Sequence, residues 1–175
     1  MPIYSKTEKN SPVSCFCFHF RSNYDTFAKA ATGGGWICVM RISDKLLERM
    51  DYDGEEISIL FCNDELIHEL NKQYRQIDSA TDVLSFENGE EYQDEEGTWR
   101  SMGDIVISLD TVPVNVKYFE TDENTEMKRL LLHGLLHLNG MDHYEEHIEK
   151  GKDPECEMLV LQEKILAEYA DYKLI

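Results

Sequence analysis

The stretch MKRLLLHGLLHLNGMDH, residues 127–143, decides how the chain folds and where its chemistry sits. Met127, Leu131, Leu135 and Leu138 recur at i, i+4, i+8 and i+11, an apolar stripe that predicts a helix over 122–139. His133 and His137, one turn apart, project together from a face away from that stripe. Asn139-Gly140 then reads as a helix stop, because glycine accepts the left-handed conformation that ends helices. The reversal returns His143 toward the two helical histidines. Three imidazoles around one ion leave a tetrahedral position open, which is the arrangement of a catalytic rather than a structural site. A lone histidine beside an apolar helix is usually an ordinary core or surface residue, and two at i, i+4 often form a simple intrahelical pair. A third histidine, set just past a helix-ending glycine, tips the balance to a metal site. Zinc suits three imidazoles best, while nickel, copper and iron also accept them.

Around this helix the pattern alternates between strand and helix. WICVMRI (36–42) reads as a short strand, and Ser43-Asp44 as the cap of a helix to about Met50. EISILF (56–61) alternates and is β-branched, a strand pattern. Asn63 is a helix N-cap ahead of DELIHELNKQY, with Leu66, Ile67 and Leu70 at helical spacing. TDVLSFE (81–87) and GDIVISLD (103–110) are further strands, separated by an acid-rich solvated loop or loose hairpin. Helices are expected over 110–119, with Pro113 in the first turn, and over 153–172. Thr121 and Asn124 loosely resemble a capping box. The fold class expected is α/β (α+β): a mixed β-sheet flanked by helices, with a zincin-like three-histidine site on a helix and the turn after it.

Residues 1–35 show no sustained period and end in ATGGGW, so they read as a poorly ordered extension preceding a single domain at 36–175. Met40 is a second candidate start. At 175 residues the chain suffices for one domain with a real core. No apolar run approaches the ~20 residues of a membrane span, and the N-terminus lacks a secretory layout, so the expectation is a cytoplasmic protein without a membrane partner. The five cysteines are odd in number and read as reduced thiols. With 17 basic and 35 acidic residues the formal charge is −18, a surface that repels polyanions at long range.

The spacing H-x-x-x-H-x-x-G-x-x-H is that of the metzincin proteases, whose second position is the glutamate that activates water. Here that position is Gly134, which argues against peptide hydrolysis by that route. HGLLHLNGMDH instead resembles the H-G-x-L-H-L-x-G-x-D-H signature of the YbeY family of bacterial endoribonucleases. LNKQYRQIDSATDVLSF (70–86) resembles a second block of that family, and GDIVIS (103–108), Glu126 and MLVLQEKIL (158–166) follow in the same order. The resemblance implies that His133, His137 and His143 hold zinc and that Arg75 faces the substrate phosphate. It implies a single-strand-specific, metal-dependent endoribonuclease acting in maturation of the 16S ribosomal RNA 3′ end and in ribosome quality control. Ribosomal RNA is then the substrate, with the ribosome or its proteins as partners. Two positions depart from the family pattern: Glu87 replaces a usual proline, and Gln76 a usual glycine.

With no glutamate base, activated water or the RNA's own 2′-hydroxyl is the expected nucleophile. Arg75 is the expected clamp on the transition-state charge, since its planar fork matches phosphate; its bland alternative is a surface arginine favourable to a helix C-terminus. Asp142 is a candidate proton acceptor or histidine-orienting group, or simply a turn cap. His133, Arg75 and Asp142 are thus the candidate catalytic residues. Asp82 divides between support of the site and a cap on its strand, and His68 and His147 read as solvated. Arg41, Lys45, Arg49, Lys72 and Arg75 are expected to form a local basic patch, with the acid-rich 87–96 and 145–157 segments facing elsewhere. The competing classes are another zinc hydrolase, protease or amidase, and a non-catalytic metal-binding ribosome assembly factor.

Overall fold

The computed structural model describes residues 16–21, 55–93, 95 and 97–173. The elements in chain order are β1 (Phe16–Arg21), β2 (Glu55–Cys62), α1 (Asp64–Arg75), β3 (Val83–Glu87), β4 (Glu91–Gln93), β5 (Thr98–Ser108), α2 (Val112–Phe119), α3 (Glu123–Leu138) and α4 (Glu157–Glu168). The strands form one sheet in the order β1-β2-β5-β3, with β4 paired to the start of β5. β2 and β5 run parallel while β1, β3 and β4 pair antiparallel, so the sheet is mixed, as expected.

Alternation along the central strands assigns the two faces. Ile57, Ile59 and Phe61 of β2, with Ile105 and Ile107 of β5, pack in one cluster with α2, α3 and α4. Leu60, Cys62, Val106 and Leu84 take the opposite face and meet Ile67 and Leu70 of α1. This is the period-two pattern of a sheet covered on both sides. α3 is wrapped more fully than the Met127–Leu131–Leu135–Leu138 stripe suggests: Leu130, Leu132 and Leu136 are buried as well. It is a central helix held between the sheet and α4, so its histidines rest on a rigid support.

Several boundaries differ from the sequence expectation, each for a local reason. Phe16–Arg21, within the segment read as an irregular extension, pairs along its whole length with β2. Its alternation of phenylalanine with Cys17, His19 and Arg21 is the period-two signal that the Ser- and Asn-rich flanks obscure. The strand expected at 36–42 and the helix expected at 43–50 lie outside the described residues. In the acid-rich stretch β4 pairs antiparallel with the start of β5 as a loose hairpin, Tyr92 opposite Trp99. β5 carries a bulge: the register steps from Glu56↔Ser101 to Ile57↔Gly103. Gly103 is required there, because its φ is +139° and a Cβ would lie 2.0 Å from the Phe86 carbonyl oxygen. Asn63 caps α1 as expected, its Oδ1 accepting from Leu66 N at 3.1 Å. The cap of α3 is Asp122 rather than Thr121, with Thr125 N donating to its Oδ1 at 3.0 Å. α4 starts at Glu157, later than expected, because the preceding backbone is held by Glu146 instead.

Candidate metal centre

α3 and the turn that follows bring the three motif histidines together. One ring nitrogen from each of His133, His137 and His143 lies within 4.8 Å of the others. Ring centroids stand 4.7 Å apart for His133–His137, 5.0 Å for His133–His143 and 5.2 Å for His137–His143. The helix supplies the first pair. Gly140, at φ +75°, turns the chain, and its N–H donates to His137 O at 2.9 Å.

Each imidazole is oriented through its other nitrogen. His137 Nδ1 donates to Met141 O at 3.0 Å and His143 Nδ1 donates to Glu146 O at 2.5 Å. His133 Nδ1 donates to Oε1 of Gln162 at 2.8 Å. Carbonyl oxygens only accept, so all three rings carry their proton on Nδ1 and turn an Nε2 lone pair inward. His133 Nε2 and His137 Nε2 approach to 3.1 Å without a proton between them. Two imidazoles held ~2.0–2.1 Å from one tetrahedral ion place their nitrogens about 3.3 Å apart. The donor set therefore fits a divalent transition metal bound by these three residues. Burial lowers the His133 pKa to about 4, with the neighbouring imidazoles adding to the shift and the Gln162 bond opposing it. His137 is likewise lowered, by burial first and then by His143 and Arg75. Both are neutral at physiological pH, the form that ligates.

Gly134 faces the sheet. A Cβ there would lie 2.7 Å from Cγ2 of Ile105, and the Gly134 carbonyl accepts from Ser85 Oγ at 3.4 Å. The position that carries the base in metzincins is thus filled by the floor of the site, and no side chain fits it.

The remaining candidates divide. Arg75 ends α1, is exposed, and lies close enough to His137 to depress its pKa. Asp142 is exposed and caps the turn, accepting from Tyr144 N at 2.9 Å; that bond and the adjacent His143 N–H hold its carboxyl below the usual range. Asp82 caps its strand through Val83 N at 2.9 Å and also accepts from Asn115 at 3.0 Å. His68 is bound to Asp78, as is Lys72, which shares the last turn of α1 with Arg75. Arg41, Lys45 and Arg49 lie outside the described residues. His147 is exposed, with its ring 5.4 Å from that of His143. Within the acid-rich 145–157 segment Glu145, Glu149, Asp153, Glu155 and Glu157 are exposed, while Glu146 is built into the turn that carries His143.

Gln162 and the groups behind it are the site residues that sequence reasoning missed. The signal was present: Gln162 falls on the same helical face as Met158, Leu159, Ile165 and Leu166, a polar residue in a buried stripe.

Residues 36–170 match the family model described as Endoribonuclease YbeY. A Treponema denticola protein named Endoribonuclease YbeY is 51% identical over 131 residues, covering 74% of this chain and 81% of that one. Its Treponema pallidum (strain Nichols) namesake is 50% identical over 115 residues, 65% of this chain and 68% of that one. An Aquifex aeolicus protein of the same name is 40% identical, covering 66% and 74%. Among solved structures, a Thermotoga maritima protein studied in solution superposes with a TM-score of 0.51 at 26% identity, over 81% of this chain and 88% of the other.

Proposed function

The chain belongs to the YbeY endoribonuclease family, and from that premise we propose that it hydrolyses phosphodiester bonds of single-stranded RNA at the three-histidine centre. One observation carries the reading: three imidazoles converge while every Nδ1 is tied to a carbonyl oxygen, which leaves each Nε2 to face a shared ion. The proposed ion is zinc, with nickel or another divalent transition metal as substitutes. When bound, it supplies Lewis acidity toward a phosphoryl oxygen or a water.

The chain's own residues supply the rest. His133, His137 and His143 fix the ion's position and leave one side open to the substrate. Arg75 binds the phosphate and offsets charge that grows on it in the transition state. Asp142, fixed by Tyr144 N and adjacent to His143, takes up a proton at the solvent edge of the site. Gly134 leaves no room for a glutamate base, which sets the site apart from a peptidase.

The proposed substrate is ribosomal RNA at the 16S 3′ end, in the cytoplasm, in the service of ribosome maturation and quality control. A chain of formal charge −18 is repelled by free polyanions, so the ribosome or a ribosomal protein delivers the strand. No described helix is long and apolar enough to cross a membrane.

The test pairs metal analysis with cleavage of ribosomal RNA. Wild type is expected to carry one transition-metal ion and to cut RNA, and His133→Ala to lose both. Peptide cleavage without RNA cleavage would favour a protease or amidase, and a bound metal with no cleavage a docking factor. Absence of stoichiometric metal would sink every version.

A further inference from the structure

Two of the three orienting acceptors are main-chain carbonyls, which cannot reverse. The third, on His133, is a side-chain amide, and an amide can. Turned over, Gln162 would present its NH₂ group to Nδ1 and force the proton onto Nε2, where it blocks the metal. Something must hold the amide, and a chain of partly buried polar groups runs directly behind it.

Gln162 is 1% exposed, and its Nε2 donates to Glu163 Oε1 at 3.1 Å. The same oxygen accepts from Arg129 Nε at 3.2 Å. Arg129 also pairs through Nη1 with Glu126 Oε2, and its guanidinium lies 4.9 Å over the Phe119 ring. Glu126, itself 1% exposed, accepts from Asn115 at 2.9 Å, and the same Asn115 nitrogen donates to Asp82 at 3.0 Å. A carboxylate is an acceptor only, so Glu163 admits the NH₂ end of Gln162 and excludes its oxygen.

We propose that Glu163, anchored by Arg129 and Glu126, is a positioning residue that fixes the orientation of the Gln162 amide and through it the metal-binding tautomer of His133. The inference rests on the metal-site reading above, yet its first consequence is visible in the metal-free protein. Glu163 is bonded to Gln162 and Arg129 and to none of the three histidines. Its influence passes through one rotatable amide.

The experiment uses the full chain, labelled with ¹⁵N-histidine and stripped of metal. Long-range ¹H–¹⁵N spectra report which ring nitrogen of His133 is protonated. Wild type is expected to show Nδ1–H alone. Glu163→Ala is expected to give a mixture with Nε2–H, and a loss of zinc affinity of ~10–100-fold by chelator competition. Gln162→Glu added to Glu163→Ala is expected to restore both, because a carboxylate beside Nδ1 has no donor to present. Gln162→Met, of similar volume and apolar, removes the acceptor without opening the core and is expected to reproduce the mixture. It serves if Glu163→Ala fails to fold. A single Nδ1–H tautomer and affinity within twofold of wild type in both Glu163→Ala and Gln162→Met would overturn the proposal. Failure of the double variant to restore the tautomer would overturn it too. If the tautomers shift as stated but wild type binds no zinc, the metal-site reading falls instead.

Discussion

The site joins two regions built on different physics. His133 and His137 stand on α3, whose side chains are buried among Ile105, Ile107 and the apolar residues of α4. His143 and Asp142 stand on a turn held by hydrogen bonds, and Arg75 stands at the exposed end of α1. Close packing is insensitive to whether a ligand is bound and fixes position to fractions of an ångström. A hydrogen-bonded turn is cheaper to open and easier to re-aim. The helical half is held by packing; the turn half brings the third histidine to it through hydrogen bonds.

The sharpest way to break this contrast is Gly134→Glu, which installs the missing protease base. If the helical half is as tightly packed as Ile105 implies, the side chain has nowhere to go. Overpacking together with a buried charge is expected to cost ~3 kcal/mol or more. The melting temperature should fall steeply with no gain of peptidase activity, and a stable, metal-loaded variant would show that the helix can yield. In the turn half, Arg75→Ala is expected to leave metal content and melting temperature unchanged. RNA cleavage should drop ~10²–10³-fold, the scale of removing one electrostatic donor. A parallel loss of metal would mean that Arg75 supports the ligands rather than the phosphate.

Glu146 offers a smaller perturbation. Its carboxylate accepts from Glu155 N at 2.7 Å and Cys156 N at 2.8 Å, so it stitches the turn to the start of α4. Glu146→Ala should weaken zinc binding ~10-fold by letting His143 wander. Hydrogen exchange should quicken across 141–146 and stay slow in α3. Equal acceleration in both would erase the distinction between the halves.

The same contrast explains what was legible in the sequence. Packed elements announce themselves through period: the stripe of α3, the alternation of β2 and β5, and the i, i+4 histidines all follow from geometry repeated along the chain. His143 was legible only because a glycine stops the helix at a fixed distance before it. The hydrogen-bonded parts carry no period. Gln162 acts from a helix 29 residues beyond His133, and Glu146 does through its carbonyl what no residue type encodes. Charge patterning misled for a related reason. Acids at 145–157 read as facing elsewhere, yet one of them, Glu146, holds the backbone just ahead of α4 and accepts from His143 through its carbonyl. β1 was missed because six residues of alternation stand alone among polar neighbours.

The mildest test lies at Gln76, where the family pattern has glycine. Gln76 sits in the left-handed region at φ 61°, ψ 24°, and its N–H closes α1 on Asn71 O. A side chain in that conformation costs ~1 kcal/mol that glycine does not pay, part of which returns as glycine's larger unfolded-state entropy. Gln76→Gly is therefore expected to stabilise by a few tenths to ~1 kcal/mol, a rise of at most ~2–4 °C in melting temperature for a chain of this size. Arg75 precedes this residue directly, so the substitution also asks what aims it. If α1 alone sets its position, cleavage stays at the wild-type rate while stability rises. If the left-handed turn contributes, glycine's added freedom lowers cleavage with metal content intact, and the hydrogen-bonded half of the site then extends through Gln76.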